Sequence, residues 1–415
     1  GSNSWQNLGG SAHYGDRRLQ AAISATRLDT DGENISREGG EDDGYENQTL
    51  NAGLGYRFTD RFRVDGALRY TDADNDFAGT DFVNTGLPAD SNNTSDTEQL
   101  YGRLAAQRDL LDGRWSNRLS YATTETDNEN REENEFASTG FDTTHFDADV
   151  TVINYQSRFK VIEDHWVTLA YEYQEQEYTQ RGPVGFGDPN RDEDLDSDSF
   201  IFEYRARLTP TLSVLASARH DDNSDFDDKT TGRISAAWLV NDGATKLRAA
   251  YGTGIKNPTF VERFGYFNDF IGNPNLKPEQ STGWEVGVDQ QLLDNRLALS
   301  LTWFQEELED EINGFVFDPE AGGTTADNED GNSDRKGVEL NGSWAAGAGL
   351  DFLFAYTWLD ATGDDAFGHT TDEIRRPEHI ASAGVNWRFL DNRANLNLTV
   401  DYNGEQDDLF FPPVP

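Results

Sequence analysis

The chain has 415 residues and a formal net charge of −43, from 77 acidic against 34 basic side chains. This balance disfavours nucleic-acid binding, which needs basic grooves, and the absence of cysteine excludes disulfides and thiol chemistry. Only 35% of the residues are hydrophobic, yet 12% are aromatic, which is unlike a disordered acidic tail. Because the sequence also lacks methionine, we expect a fragment or a processed segment of a longer protein.

Short turn signals recur along the whole chain. Pairs such as Asp-Gly, Asn-Asp and Asp-Asn supply the positive φ values that tight hairpins need. They predict nine turns, at Tyr14–Arg17, Thr59–Arg61, Leu111–Arg114, Glu163–His165, Thr209–Thr211, Val240–Gly243, Leu293–Arg296, Ala346–Gly349 and Leu390–Arg393.

The segments beside these turns alternate between apolar and polar residues with period two, which is typical of β-strands. After the last turn, the apolar set is Leu396, Leu398, Val400 and Tyr402, and the polar set is Asn395, Asn397, Thr399 and Asp401. Period two places the sets on opposite faces of a sheet. We therefore expect the apolar set to point outward to lipid and the polar set to face the interior.

Nine hairpins make eighteen antiparallel strands, and the connections at the other end are long and acidic. Examples are the predicted loops 127–142, 181–198 and 318–334. Short turns at one end and long loops at the other are typical of an outer-membrane barrel, whose closed sheet pairs every backbone group in lipid. The predicted fold class is all-β, an antiparallel transmembrane β-barrel in the bacterial outer membrane. A propeller or β-helix is the competing fold, but it lacks this split between short turns and long loops.

Several spaced motifs agree with one family, in order along the chain. They are Leu247–Phe260, Gly272–Ser281 with its Asn-Pro-Asn-Leu-Lys-Pro-Glu core, Trp284–Gly287, Lys336–Glu339 and Arg375–His379. This set resembles the barrel of TonB-dependent outer-membrane receptors. The segments Gly1–Asn7 and Ala218–Ser224 most resemble the branch of that family that takes up cobalamin.

The resemblance implies a 22-stranded barrel with an N-terminal plug, of which this chain shows eighteen strands. We accordingly interpret residues 1–415 as one incomplete barrel domain. It would begin at the second strand and lack the plug, the TonB box that engages TonB, and the last strands.

The function that the resemblance implies is TonB-driven uptake of a scarce nutrient, cobalamin or a related corrinoid, through an outer membrane of lipid and lipopolysaccharide. A siderophore receptor is the alternative within the family. A passive porin or an outer-membrane enzyme is the alternative outside it, since porins have 16–18 strands. We predict no catalytic site, because Ser224 near His220 is the one candidate pair and chance explains it better.

The resemblance also implies calcium in two early outer loops. Matching positions here are acidic, although Glu41 stands where the family pattern has Asp, and carboxylate oxygens suit calcium. The predicted ligands are Asp29, Asp31, Glu41, Asp43, Asp76 and Asp90, with Asp42 and Asp74 beside them. The alternative is that these side chains are merely solvated. A second acidic run, Asp221–Asp228, is predicted to be a solvated loop.

Overall fold

The computed structural model describes residues 2–36, 40, 42–81, 87–134, 137, 140–184, 188–267, 270–319, 323–329, 331–364 and 369–408. Most of these residues form one nineteen-stranded sheet. Among the described residues, no helix is long and apolar enough to cross a membrane.

The first twelve strands of this sheet follow one another without interruption. They are β1 (Gln6–Gly15), β2 (Leu19–Glu33), β3 (Asp43–Thr59), β4 (Phe62–Thr80), β5 (Pro88–Leu110), β6 (Trp115–Glu133), β7 (Phe141–Ile162), β8 (His165–Arg181), β9 (Arg191–Thr209), β10 (Leu212–Asn223), β11 (Lys229–Val240) and β12 (Thr245–Lys256).

A helix and two short strands intervene before the sheet continues, and a further pair interrupts it later. These are α1 (Phe260–Phe264), β13 (Tyr266–Phe267), β14 (Phe270–Ile271), β17 (Ile312–Asp318) and β18 (Gly323–Asn328). The remaining strands of the main sheet are β15 (Glu279–Leu292), β16 (Leu297–Glu309), β19 (Asn332–Gly347), β20 (Leu350–Asp364), β21 (Thr370–Asp372), β22 (His379–Phe389) and β23 (Ala394–Asn403).

Apart from the three-residue β21, eighteen strands form an antiparallel meander in chain order, as predicted. All nine predicted turns join neighbouring strands at the same end, which we call the short-turn end. The opposite end is the loop end. Within the described part of the chain, β1 pairs only with β2 and β23 only with β22, so the curled sheet is open between them.

Backbone geometry at the short-turn end confirms the predicted turn chemistry. Asp112 and Gly113 have φ values of 55° and 83°, and Asp242 and Gly243 have values of 55° and 87°. Aspartate and glycine tolerate this left-handed region better than most residues do. The Asp-Gly pairs therefore end one strand and start the next with little steric cost.

One face of the sheet, here called the outer face, carries a continuous apolar band. In β19, β20, β22 and β23, the residues Trp344, Phe352, Val385 and Leu398 lie opposite one another in a single row. Leu396, Leu398, Val400 and Tyr402 are all exposed on this face, as predicted. Apolar residues at every second position, aligned by the register of neighbouring strands, thus form an apolar wall suited to lipid.

Aromatic residues mark two belts on the outer face. Near the short-turn end, the rings of Trp344 and Phe352 stack with centroids 5.4 Å apart. Further along the same strands, Trp303 and Trp358 lie 6.3 Å apart. Phe352 and Trp358 are separated by about 20 Å along β20 at the usual rise of a strand. This separation suits aromatic girdles on either side of an apolar band.

The other face, here called the inner face, is polar. Arg118 pairs there with Asp65 at 3.1 Å, and Arg388 pairs with Asp351 at 2.8 Å. The side chain of Ser300 donates to Asp289 at 2.7 Å. These contacts link neighbouring strands across a surface that faces the lumen.

The strands continue beyond the length that a membrane requires, which corrects the predicted loop boundaries. A membrane strand needs only about 10 residues, but β5 has 23. Much of predicted loop 127–142 belongs to β6 and β7, and much of 181–198 belongs to β9. These strand extensions were predicted as loops because both of their faces contact water outside the membrane. Their sequences are therefore mostly polar, without a regular alternation of apolar residues.

Carboxylates form directly opposed rows on the outer face of these extensions. In one row Glu46, Asp74, Asp96 and Glu129 face each other across β3 to β6. Desolvation and the charges of Asp74 and Glu129 raise the pKa of Asp96. Opposed like charges destabilise a sheet, so these rows oppose folding when they are ionised.

We predict that Asp96→Asn raises the melting temperature by roughly 1–2 °C at neutral pH. A raised folded-state pKa means that stability is lost as the pH rises through that pKa. The gain should therefore vanish below the ordinary pKa of 3.8. Thermal unfolding followed by circular dichroism across this pH range measures both effects.

Asp16→Asn is the matched control, for which we expect the opposite change in melting temperature. Backbone N–H groups of Leu19 and Arg18 donate to Asp16 at 2.7 Å and lower its pKa. The ionised Asp16 carboxylate stabilises the folded state, and this stabilisation is lost as the pH falls. Asp16→Asn should therefore have a lower melting temperature than the wild type at neutral pH. If Asp96→Asn also had a lower melting temperature than the wild type, repulsion between the opposed carboxylates would be contradicted.

Candidate functional site at the loop end

Two long connections at the loop end build a small sheet with its own core. Strands β13, β14, β18 and β17 are neighbours in that order. Phe270, Leu276 and Ala326 are buried together, and Phe267 and Ile312 pack against them. This loop-end sheet supplies an ordered surface above the lumen.

Helix α1 begins the first of these connections, residues 257–278, and is fixed by a capping box. The Thr259 hydroxyl accepts from the backbone N–H of Glu262 at 3.2 Å. In return, the Glu262 carboxylate accepts from the backbone N–H of Thr259 at 2.7 Å. The chain then returns so closely that a Cβ on Gly272 would lie 2.5 Å from the carbonyl carbon of Arg263. Gly272 is therefore required by this close approach.

Connection 257–278 crosses the inner face to reach β8, four strands from its origin in β12. Gln180, which is completely buried, donates to the carbonyl of Tyr266 at 2.5 Å and accepts from its N–H at 3.2 Å. Tyr178 stacks on Phe260 with ring centroids 5.5 Å apart. Burial raises the pKa of Tyr178 to about 12, so its hydroxyl stays protonated and donates to Gln180. The connection is thus fastened across the mouth of the lumen.

A buried arginine makes a second attachment. Arg263 is 8% exposed, donates to Asp225 at 2.7 Å, and lies over the rings of Phe226 and Phe264. The run Asp221–Asp228 was expected to be a solvated loop, and this expectation is wrong for part of it. Asp225 instead anchors α1, because a buried guanidinium requires a charged partner.

Asp221 is also buried, within a network on the inner face of β8 to β10. Arg219 donates to Asp221 at 2.7 Å, to Glu172 at 3.1 Å and to Ser199 at 2.7 Å. Ser199 is fully buried and donates to Asp221 at 2.6 Å. This satisfied network stiffens the wall beneath the attachment of α1.

Ser224 and His220, the one pair considered for catalysis, have separate partners. The Ser224 hydroxyl accepts from the N–H of Asp196 at 3.2 Å. His220 Nδ1 lies 2.9 Å from the Thr230 hydroxyl. Both contacts hold the end of β10 to its neighbouring strands.

Among the described calcium candidates, Asp90 at the start of β5 bonds to the β2–β3 connection. It accepts from Asn34 at 3.1 Å, from the N–H of Gly40 at 2.7 Å, and from the hydroxyl of Ser36. The β2–β3 connection therefore contacts the start of β5.

The other predicted ligands lie along the same edge. Asp29 pairs with Arg27 at 3.3 Å, and Asp31 lies near the loop end of β2. Asp43 starts β3, and Asp76 lies close to the backbone there, 3.0 Å from a Cβ built on Gly44.

Asp42 immediately precedes β3, and Asp74 lies in β4 within the acidic row described above. Glu41 lies outside the described residues. Among the described residues, no three acidic, histidine or cysteine side chains converge to hold a metal ion. Calcium therefore stays a prediction, and the described carboxylates do not form a ready-made site.

Gln180, Arg263 and Asp225 were not predicted as functional residues. Their partners lie far away in sequence, and no local pattern announces them. One signal was present, because Thr259 and Glu262 have the spacing of a capping box and predict the start of α1.

The model of the TonB-dependent receptor-like β-barrel family matches residues 1–413. The chain belongs to this family. Members of the family lie in the bacterial outer membrane, and this receptor barrel is placed there. Among curated proteins, the vitamin B12 transporter BtuB of Photobacterium profundum is 26% identical over 98% of the chain. The chain spans 62% of that relative's length.

Solved structures of the family share the fold. The siderophore receptor PirA of Acinetobacter baumannii gives a TM-score of 0.76 at 16% identity, covering 98% of this chain and 66% of that one. A mutant of the ferric enterobactin receptor PfeA of Pseudomonas aeruginosa gives a TM-score of 0.75 at 13% identity. The match covers 100% of this chain and 69% of that one. At these identities the likeness concerns the receptor barrel alone.

We predict that Gln180→Ala loosens connection 257–278. Losing both bonds to Tyr266 leaves its half-buried backbone N–H and carbonyl unpaired, at a cost of about 1–3 kcal/mol. Limited proteolysis within this connection should then run about ten times faster, since the open state is more populated. Gln176→Ala, on the same face of β8, is the control and should cleave at the wild-type rate. Equal rates for the two variants would contradict the attachment.

Proposed function

We propose that this receptor barrel is the wall of a TonB-dependent transporter that takes up a corrinoid such as cobalamin across the outer membrane. The observation that carries the proposal is the family match over residues 1–413. The transport cycle would need TonB and a plug within the lumen. A polar inner face and an ordered mouth suit the passage of a hydrated ligand through such a wall.

The substrate is proposed from the curated relative. Similarity to a vitamin B12 transporter extends over 98% of the chain at 26% identity. A siderophore is the second candidate, because PirA and PfeA have the same barrel. Family membership favours both over the porin and the enzyme considered from the sequence, since these receptors are transport proteins.

We expect cyanocobalamin to bind the receptor, isolated from outer membranes, at nanomolar to micromolar concentration. Equilibrium titration with cyanocobalamin and, in parallel, with ferric enterobactin makes the comparison. A saturable corrinoid signal supports the proposal. Saturation by the ferric siderophore alone would assign the barrel to the second candidate.

We also propose that calcium orders the β2–β3 and β4–β5 connections. Asp90, at the start of β5, already bonds to the β2–β3 connection, and neighbouring carboxylates repel one another unless a cation relieves the charge. An ion that binds only the ordered form would stabilise it by about 3 kcal/mol at about a hundred times its dissociation constant.

Calorimetric titration of the receptor with calcium chloride tests this site. Asp43→Ala and Asp90→Ala should each reduce the binding heat and weaken affinity. Asp228→Ala, an exposed carboxylate in the β10–β11 connection, is the control and should leave the heat unchanged. No calcium heat in the wild type, or unchanged heat in both test variants, would defeat the site.

A further inference from the structure

A single arginine interrupts the outer face near the short-turn end. Arg108 lies in β5 close to the turn at Leu111–Gly113, and the register places it on the outer face, directly opposite Phe62 of β4. We compared the five residues of each main-sheet strand nearest a short turn, all of which the structure describes. Among their outward-facing side chains, Arg108 is the one aspartate, glutamate, lysine or arginine. Because a charged group is costly against lipid, its presence here points to a partner.

Arg108 is the first of three polar side chains that form a row across β5, β6 and β7, here called the donor row. Arg108 is directly opposite Asn117, and Asn117 is directly opposite Ser157. Opposed side chains in adjacent strands have their Cβ atoms about 5 Å apart. A guanidinium, an amide and a hydroxyl thus occupy one strip of the outer face.

Each member of the donor row keeps hydrogen-bond donors that no described group of the chain accepts. The side chain of Arg108 makes no hydrogen bond or ion pair within the described part of the chain. The Asn117 side-chain oxygen accepts from the Tyr155 hydroxyl at 2.8 Å, and its amide nitrogen is left without an acceptor there. The Ser157 oxygen likewise accepts from the Trp115 ring N–H at 2.8 Å, and its own O–H is unused. Since unpaired donors are costly in a membrane, the row favours an acceptor from outside the chain.

Another polar pair at the same end shows how the outer face can satisfy such groups internally. Thr245 and Gln290 are opposed in β12 and β15, and the Thr245 hydroxyl donates to Gln290 at 2.7 Å. The Gln290 amide donates to the backbone carbonyls of Ala244 and Gln291 at 3.0 and 2.9 Å. These donors all end within the protein, so the donor row differs from this pair in its unused donors.

Aromatic and apolar side chains surround the donor row. The Phe62 ring borders it in β4, and Trp115, directly opposite Phe159, borders it on the side of the short turns. Towards the middle of the strands, the outer face continues with Leu104 and Leu119, which are 58% and 53% exposed. A lipid whose headgroup lay against the row would therefore have apolar protein surface beneath its acyl chains.

We propose that the donor row binds the phosphodiester of one anionic phospholipid, such as phosphatidylglycerol, in the periplasmic leaflet of the outer membrane. The short turns of outer-membrane barrels face the periplasm. A guanidinium fork matches phosphate oxygens, and the amide and hydroxyl can donate to the oxygens that remain. No carboxylate shares this part of the outer face with Arg108. Its charge therefore favours an anionic headgroup over zwitterionic phosphatidylethanolamine, whose ammonium group it repels.

This surface is available to lipid because the outer face of the barrel, unlike the inner one, contacts the membrane. The proposal rests on the fold and the outer-membrane location. It goes beyond the proposed transport of a corrinoid, so either can fail without the other.

Native mass spectrometry tests the site on the receptor isolated from outer membranes, freed of bound lipid in detergent and titrated with single phospholipids. We expect one phosphatidylglycerol to be retained at concentrations at which phosphatidylethanolamine is not. Arg108→Gln should weaken phosphatidylglycerol binding about tenfold, and Asn117→Ala about fivefold, as expected for lost charged and neutral hydrogen bonds.

Arg63→Gln is the matched control. Arg63 lies at the same end of neighbouring β4 but on the inner face, where it donates to Gln107 at 2.9 Å. This variant changes the net charge equally and should bind phosphatidylglycerol as the wild type does. Arg108→Lys keeps the charge but loses the fork. It should fold as the wild type does, by circular dichroism, and bind phosphatidylglycerol more weakly while still preferring it to phosphatidylethanolamine.

Three outcomes would overturn the proposal. One is equal retention of phosphatidylglycerol and phosphatidylethanolamine by the wild type, which would indicate unselective lipid around the barrel. Another is equal weakening in Arg63→Gln and Arg108→Gln, which would indicate attraction by net charge alone. The third is tighter binding of lipid A than of phosphatidylglycerol with the same loss in Arg108→Gln, which would assign the row to lipopolysaccharide.

Discussion

Peptide groups that cross lipid have no water to pair with, and the architecture of this chain depends on that constraint. Antiparallel ladders between chain neighbours satisfy these groups with the shortest connections. Each strand then offers alternate side chains to lipid and to the lumen. The apolar row from Trp344 to Leu398 and the ion pairs on the opposite face both follow from the same pleat.

Charge is distributed according to the same division. Acidic side chains concentrate in the rows outside the membrane, where Asp74 and Asp96 face one another. The inner face carries arginines such as Arg118 and Arg388 together with their carboxylate partners, Asp65 and Asp351. The net charge of −43 therefore describes neither surface.

The strands, turns and facing pattern could be predicted because they depend on residues close in sequence. Asp112 and Gly113 favour a tight turn through their own backbone conformations. The alternation of apolar and polar residues from Leu396 to Tyr402 is likewise visible in that segment alone. The mouth could not be predicted in this way. Gln180 and Tyr266 are 86 positions apart, and their contact exists only once the sheet has curled. Loop boundaries were misplaced because polar strands in water resemble loops.

The register of the ladders also limits how such a chain can change over generations. Removing one residue from the middle of β19 would turn Trp344 towards the lumen or Glu339 towards lipid, because neighbouring positions face opposite sides. Removing two residues keeps every side chain on its side. Insertions of any length are tolerated in the connections, because side chains there do not alternate between two faces of a sheet. Strands of this wall are therefore expected to differ between relatives by even numbers of residues, and loops by any number.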